Sequence, residues 1–211
     1  MTNKKMTDKF RWIFYGTTLA IGFILMLVRS PHYNWDMVAY IGVAQSYIST
    51  NKAEIHRNTY DQLQKYLPPE RFDERIDADI FRSSMYKNAD YFSQQLPFYS
   101  VKPLYPALML ALNFIGVNFV SASVWISKIS FLLCMLVILI WLGRYLKKET
   151  ASLMVLLILF FNPALFFSSF STPDSLSGFL FLLCSYFLFA AKKPMYSILL
   201  FPLLILARPD N

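Results

Sequence analysis

Residues 122–142 read ASVWISKISFLLCMLVILIWL, and Lys128 is the one charge in the run. A stretch this long and this apolar approaches the ~20 residues that a helix needs to cross a bilayer. Its apolar residues are continuous rather than alternating, which favours a helix over a strand of a membrane barrel. Further apolar runs lie on both sides: Trp12–Val28 and Leu104–Phe119 before it, then Ala151–Phe167, Leu176–Ala190 and Met195–Leu206 after it. Asn162-Pro163 is expected to break or kink the run that contains it. The chain is 56% hydrophobic and 18% aromatic, more than a soluble domain of 211 residues ordinarily carries. The expected fold class is all-α: a polytopic transmembrane helix bundle.

One long polar segment interrupts this pattern. Residues 30–102 hold nine of the thirteen acidic residues, and basic residues nearly match them. The expected organisation is therefore a basic cytoplasmic tail and first transmembrane helix over 1–29, an extracytoplasmic loop over 30–102, and a helix bundle over 103–211. No small-residue cleavage site follows Val28, so the first span reads as uncleaved. Within the loop, Val38, Ile41 and Ile48 recur at helical spacing over 35–49. Asn34 is the expected N-cap, and Asp36 sits in the first turn. Trp35, Tyr40 and Tyr47 suggest that this helix lies at the membrane interface. Residues 59–67 and 77–92 are further amphipathic helix candidates, separated by Pro68-Pro69.

The excess positive charge is local. It sits in Lys4, Lys5, Lys9 and Arg11, in Arg144, Lys147 and Lys148, and in Lys192 and Lys193. Clusters beside apolar runs set topology and touch anionic lipid rather than nucleic acid. If all six runs cross, the second and third clusters fall outside, against the positive-inside bias. If residues 104–144 cross only once in net terms, the conflict disappears, and Asp174 and Arg208 then share a face with Asp36.

Few residues offer chemistry. Asp36 can serve as a general base, hold a divalent cation, or simply stabilise its own helix. Asp174, in Ser171-Thr172-Pro173-Asp174-Ser175, is an acid between two apolar runs, either a site residue or a helix cap. Arg208 suits a phosphate through its planar fork, or marks a helix end. Lys102 and Lys128 can each reach a membrane surface along their stems. His32 and His56 are isolated, with no zinc spacing around them. Cys134 and Cys184 lie inside apolar runs and form no disulfide framework.

The order of these elements resembles the GT-C class of membrane glycosyltransferases. A first span is followed by Trp35-Asp36-x-x-x-Tyr40, then by a loop ending Lys102-Pro103-Leu104-Tyr105-Pro106, and much later by Thr172-Pro173-Asp174 and Arg208-Pro209. Protein O-mannosyltransferases and lipid A aminoarabinose transferases are the nearer relatives by this layout. The resemblance implies a donor sugar on a polyprenyl phosphate and an acceptor hydroxyl on a glycan, lipid or protein. It implies Asp36 as the catalytic base or metal-site residue at the start of the first outer loop, Lys102 and Arg208 as donor-phosphate ligands, and Asp174 as a second acidic site residue. Met37 stands where many members have a second acid, and one proline follows Lys102 where aminoarabinose transferases have two. Members of the class carry more spans and a further module, so the chain is expected to be the N-terminal part of such an enzyme, in a bacterial inner membrane. A non-catalytic membrane scaffold subunit or a transporter-like protein is the other function class. It would give the loop a packing role, without need of Asp36.

Overall fold

A computed structural model describes residues 2–209, with the side chains of residues 2–11 and of Asn162 left undescribed. The basic side chains Lys4, Lys5, Lys9 and Arg11 therefore lie outside the described residues. The fold is all-helical. Helix α1 (Thr2–Val28) leads into five helices formed by the polar segment: α2 (Asp36–Ser46), α3 (Lys52–Tyr66), α4 (Pro69–Ile76), α5 (Ile80–Lys87) and α6 (Ala89–Ser100). Then come α7 (Leu104–Phe114), α8 (Phe119–Leu142), α9 (Lys148–Phe160), α10 (Asn162–Phe167), α11 (Asp174–Ser185) and α12 (Pro194–Ala207). A π-helical turn, Tyr186–Ala190, extends α11. Among the described residues the one β-type pairing is an isolated parallel bridge between His32 and Phe170.

Local chemistry places the helix starts in the polar segment, which forms a cap. The Asn51 side chain accepts from the Ala53 and Glu54 amides, and the Asn88 side chain accepts from those of Asp90 and Tyr91. Asp79 caps α5 in the same way, through the Arg82 amide. Pro68-Pro69 ends α3 and supplies the first residue of α4. Helix α2 departs from the expected interfacial helix. Every residue from Met37 to Gln45 is buried, including Tyr40. The reason is in its composition: Met37, Val38, Ala39, Ile41, Val43 and Ala44 leave no polar face, and such a helix is enclosed. It packs on α3, α6 and α7. Gly42 allows the closest approach, since a Cβ there would lie 2.7 Å from Phe92 Cζ and 2.8 Å from Leu96 Cδ2.

Below the cap, α1, α8, α9–α10, α11 with its π turn, and α12 run up and down. Tyr15, Met135, Leu139, Val155 and Leu159 join α1, α8 and α9 in one apolar cluster. The break expected at Asn162-Pro163 separates α9 from α10. The expected span over Leu104–Phe119 is a correction. Helix α7 has 11 residues, about 16 Å long and short of the ~30 Å core of a bilayer. Gly116 turns the chain at φ +92°, and Asn118 caps α8 through the Ser121 amide. Tyr105 of α7 donates to the Ser123 carbonyl at 3.1 Å, and Phe119, Val120 and Ala122 share an apolar core with α2. Both α7 and the start of α8 therefore sit beneath the cap. Residues 104–144 run down the bundle once. Trp141 packs on Tyr186 at 6.0 Å, so the ends of α8 and α11 meet at the far end of the bundle. Arg144, Lys147 and Lys148 follow one of these ends and Lys192 and Lys193 the other, both opposite the cap.

Among the described residues one helix, Phe119–Leu142, is long and apolar enough to cross a membrane. Trp12–Val28, Leu104–Phe114, Asp174–Ala190 and Pro194–Ala207 are shorter apolar helices.

Candidate functional site

A backbone stitch sets the site. The His32 amide donates to the Ser169 carbonyl at 2.8 Å, and the Ser171 amide donates to the His32 carbonyl at 3.3 Å. Two residues further on, the Asn34 amide donates to Ser171 Oγ at 2.9 Å. These bonds bind the strand entering α2 to the loop entering α11. The two helix starts, Asp36 and Asp174, consequently share the cap end of the bundle. Helix α12 rises to the same end and presents Arg208, which forms an ion pair with Asp174.

Asp36 is half-buried at the first position of α2. Its amide donates to Asn34 Oδ1 at 3.3 Å, but the N-cap position falls on Trp35, whose side chain makes no capping bond, so the expected cap at Asn34 lies one residue too early. The carboxylate accepts a hydrogen bond from the Tyr99 hydroxyl, 2.9 Å from Oδ1 and 63 residues away in sequence. Thr172 Oγ1 donates to Asp174 Oδ2 at 2.5 Å, holding the carboxylate that faces Arg208. Tyr40, one turn beyond Asp36, lies edge-on to both Tyr99 and Tyr105 with ring centres 5.1 Å away. Burial holds the Tyr40 phenol above its ordinary pKa. The charges of Asp36 and Asp174 add to that, and Arg208 opposes it. One hydroxyl thus feels all three charged groups. Burial and the neighbouring Asp36 carboxylate raise Tyr99 likewise, so it stays a proton donor at neutral pH.

Lys102 is half-buried, and its amide bonds to the Tyr99 carbonyl at 3.2 Å. Its ammonium has no hydrogen bond or ion pair among the described residues. The structure places it one turn past Tyr99 but joins it to neither Asp174 nor Arg208. Lys128 corrects the expectation that it reaches a surface. It is buried, with its ammonium 5.8 Å from the Trp125 ring centre. His56 is a packing residue: Nε2 bonds the Met85 carbonyl at 3.0 Å, between the rings of Tyr60 and Phe92.

An apolar groove of about 430 Å³ leads to Asp174. It is lined by Phe131 and Cys134 of α8, Phe161, Pro163 and Phe167 around α10, and Gly178 of α11. Among the described residues no three His, Cys, Asp or Glu side chains cluster as a metal site. The residues that sequence reading missed are Tyr99 and the Asn34–Ser171 contact. Nothing in the sequence marks Tyr99 among thirteen tyrosines. No protein-family model, curated protein or solved structure matches the chain.

Proposed function

We propose that the chain is an integral membrane glycosyltransferase, or the N-terminal portion of one, that transfers a sugar from a polyprenyl-phosphate donor to an acceptor hydroxyl. In this reading the bundle is polytopic in a bacterial inner membrane, with the cap on the extracytoplasmic side. The observation that carries it is that Asp36 and the Asp174–Arg208 pair share the cap end of the bundle, all within the electrostatic reach of Tyr40, and that Asp174 lines an apolar groove. An acid, a phosphate-matching guanidinium and an apolar channel are the three things a lipid-phosphate donor and a hydroxyl acceptor require. Both described basic clusters lie at the opposite end, which agrees with a cytoplasmic face there.

In the proposed reaction Asp36 takes the proton of the acceptor hydroxyl as its oxygen attacks the anomeric carbon. The bond from that carbon to the phosphate oxygen breaks, and its electron pair leaves on the lipid phosphate. Inversion follows from a single displacement. Arg208, positioned by Asp174, offsets the charge that builds on the phosphate, with Lys102 as the second cation. Tyr99 fixes the orientation of Asp36, and the prenyl chain lies along Phe131, Phe161 and Phe167. Asp174 is engaged by Arg208, which leaves Asp36 as the one carboxylate at this end open to a cation among the described residues. Divalent ions bind through several oxygen ligands, so this donor set does not fit one, and no step is assigned to a metal.

The test is transfer of radiolabelled sugar in membranes supplied with a polyprenyl-phosphate sugar. Asp36→Asn should lower transfer by about 100-fold or more, the usual contribution of a general base, at unchanged abundance in the membrane. Full transfer by that variant would remove Asp36 from the mechanism.

A further inference from the structure

A second groove, of about 570 Å³, lies where α1 meets the cap. Its lower wall is apolar: Leu25 and Val28 of α1 and Phe166 of α10. Its upper rim is polar: Arg29, His32 and Arg71 of α4. Arg29 sits over the Phe166 ring at 5.4 Å, and His32 packs on Phe166 and Phe170. Arg75 donates to the Tyr33 carbonyl just behind the rim. The fields of Arg75, Arg71 and Arg29 all reach His32 and, after burial, lower its pKa. The Glu74 carboxylate opposes them, and it pairs with Arg71 at 3.0 Å and Arg75 at 3.4 Å. The groove lining holds Arg29 and Arg71 and no carboxylate among its described residues, so the rim is cationic.

We propose that this groove binds one anionic phospholipid, with its phosphate at Arg29 and Arg71 and an acyl chain along Leu25, Val28 and Phe166. Charge complementarity selects the headgroup. The order of the walls selects a lipid over free phosphate, because the cationic rim faces the cap while the apolar wall continues down the bundle. Val28 is 79% exposed, a large apolar surface that an acyl chain would cover. The groove is separate from the Asp36 site, since the bonded His32–Ser171 stitch lies between them. A lipid here presses on Pro31-His32 and so buttresses the stitch that holds Asn34 and Asp36 in place.

The inference rests on the bundle lying in a bilayer, and not on sugar transfer. Native mass spectrometry of the chain in detergent tests it, with phosphatidylglycerol and phosphatidylcholine of matched chains as probes. Wild type should retain one phosphatidylglycerol at least about ten-fold more tightly than phosphatidylcholine, as two basic side chains near a headgroup would give. The Arg29→Gln/Arg71→Gln variant should lose that preference. Arg71→Gln alone, at a side chain 54% exposed, should fold as wild type and weaken retention in part. Equal retention of both lipids by wild type overturns the proposal. So does an undiminished preference in the double variant, or displacement of the lipid by millimolar inorganic phosphate. Alkaline washing of membranes tests the bilayer reading by itself: a chain that resists the wash but shows no lipid preference loses only this inference.

Discussion

In the cap, helices α2 to α6 bury Met37, Ile41, Leu63 and Phe92 and expose Asp61, Lys65, Glu70 and Asp73. The bundle also buries apolar residues, Tyr15, Met135 and Leu139 among them, but its outer surface differs. Leu153, Leu157, Phe181, Phe189, Ile198 and Leu199 point outward, while Ser123, Ser127, Ser152, Ser171 and Ser177 are buried. Apolar burial away from water organises the cap. Such burial cannot organise a surface that is itself apolar. There small residues let helices approach closely, and hydroxyls bond across them, as Ser127 does to the Thr172 carbonyl at 3.1 Å. An apolar outer surface over a core that includes hydroxyls is consistent with the proposal of a bundle in lipid beneath a cap in water. The candidate site lies where the two regimes meet.

The sharpest way to break this comparison is at the charged pair on the boundary. Arg208→Leu leaves Asp174 half-buried without the cation that faces it. Loss of one partner of a shielded ion pair costs about 3 kcal/mol, at the lower end of the range for buried pairs because each side chain here is about a third exposed. Thermal unfolding in detergent should show that loss for Arg208→Leu and for Asp174→Leu. The double variant Asp174→Leu/Arg208→Leu should recover much of it, because both charges of this pair are removed together. Transfer should stay absent in the double variant, which separates the structural part of the pair from its part in binding phosphate.

Two glycines contrast the regions more finely. In the cap, a side chain at Gly42 would meet Phe92 and Leu96 well inside contact distance. Gly42→Val should therefore cost about 2 kcal/mol through overpacking, read as a lower unfolding midpoint. In the bundle, a Cβ at Gly178 meets nothing within 4 Å. Gly178→Leu should leave the midpoint unchanged or slightly raised, because leucine suits a helix better than glycine. The same leucine would fill the groove below Asp174. Donor affinity should fall about ten-fold, with abundance unaffected. A normal KM for the donor in Gly178→Leu would separate this groove from the prenyl chain.

Much of the fold is legible in the residues. Continuous apolar runs give the bundle helices, Pro68-Pro69 and Asn162-Pro163 mark real breaks, and the helical spacing over 35–49 gives α2. What misleads is length taken from composition. Leu104–Phe119 counts as one apolar run, yet Asn113 and Gly116 divide it. Asn113 Nδ2 donates to the Val117 carbonyl at 3.2 Å, and only a left-handed residue makes the turn. The burial of α2 was also readable, from the absence of any polar face. The site is legible only as separate parts. Asp36, Asp174 and Arg208 stand out one by one as charges at helix ends beside apolar runs. Their meeting depends on the stitch between Asn34 and Ser171, 137 residues apart, and on α12 running back to the cap. Local pattern carries no information on either.

The smallest expected effects come from two tyrosines of the cap, and their signs should differ. Tyr99 donates to Asp36, so Tyr99→Phe removes a hydrogen bond to a charged acceptor and should cost about 1.5 kcal/mol. Tyr60 is buried, and its hydroxyl has no partner among the described residues. Tyr60→Phe removes an unsatisfied group while keeping the ring against His56 and Phe92, so it should be neutral or stabilising by up to about 1 kcal/mol. Alkaline unfolding gives an independent reading of the same pair. Burial raises both phenols above their ordinary value of about 10, and Asp36 adds to the shift at Tyr99. A raised phenol contributes stability that is whole below pH 10 and lost as pH climbs beyond it, because the unfolded chain ionises first. Each Phe variant should therefore lose less stability than wild type between pH 10 and 11. If Tyr60→Phe instead destabilises the cap at neutral pH, its hydroxyl has a partner and the cap interior is wetter than its apolar residues imply.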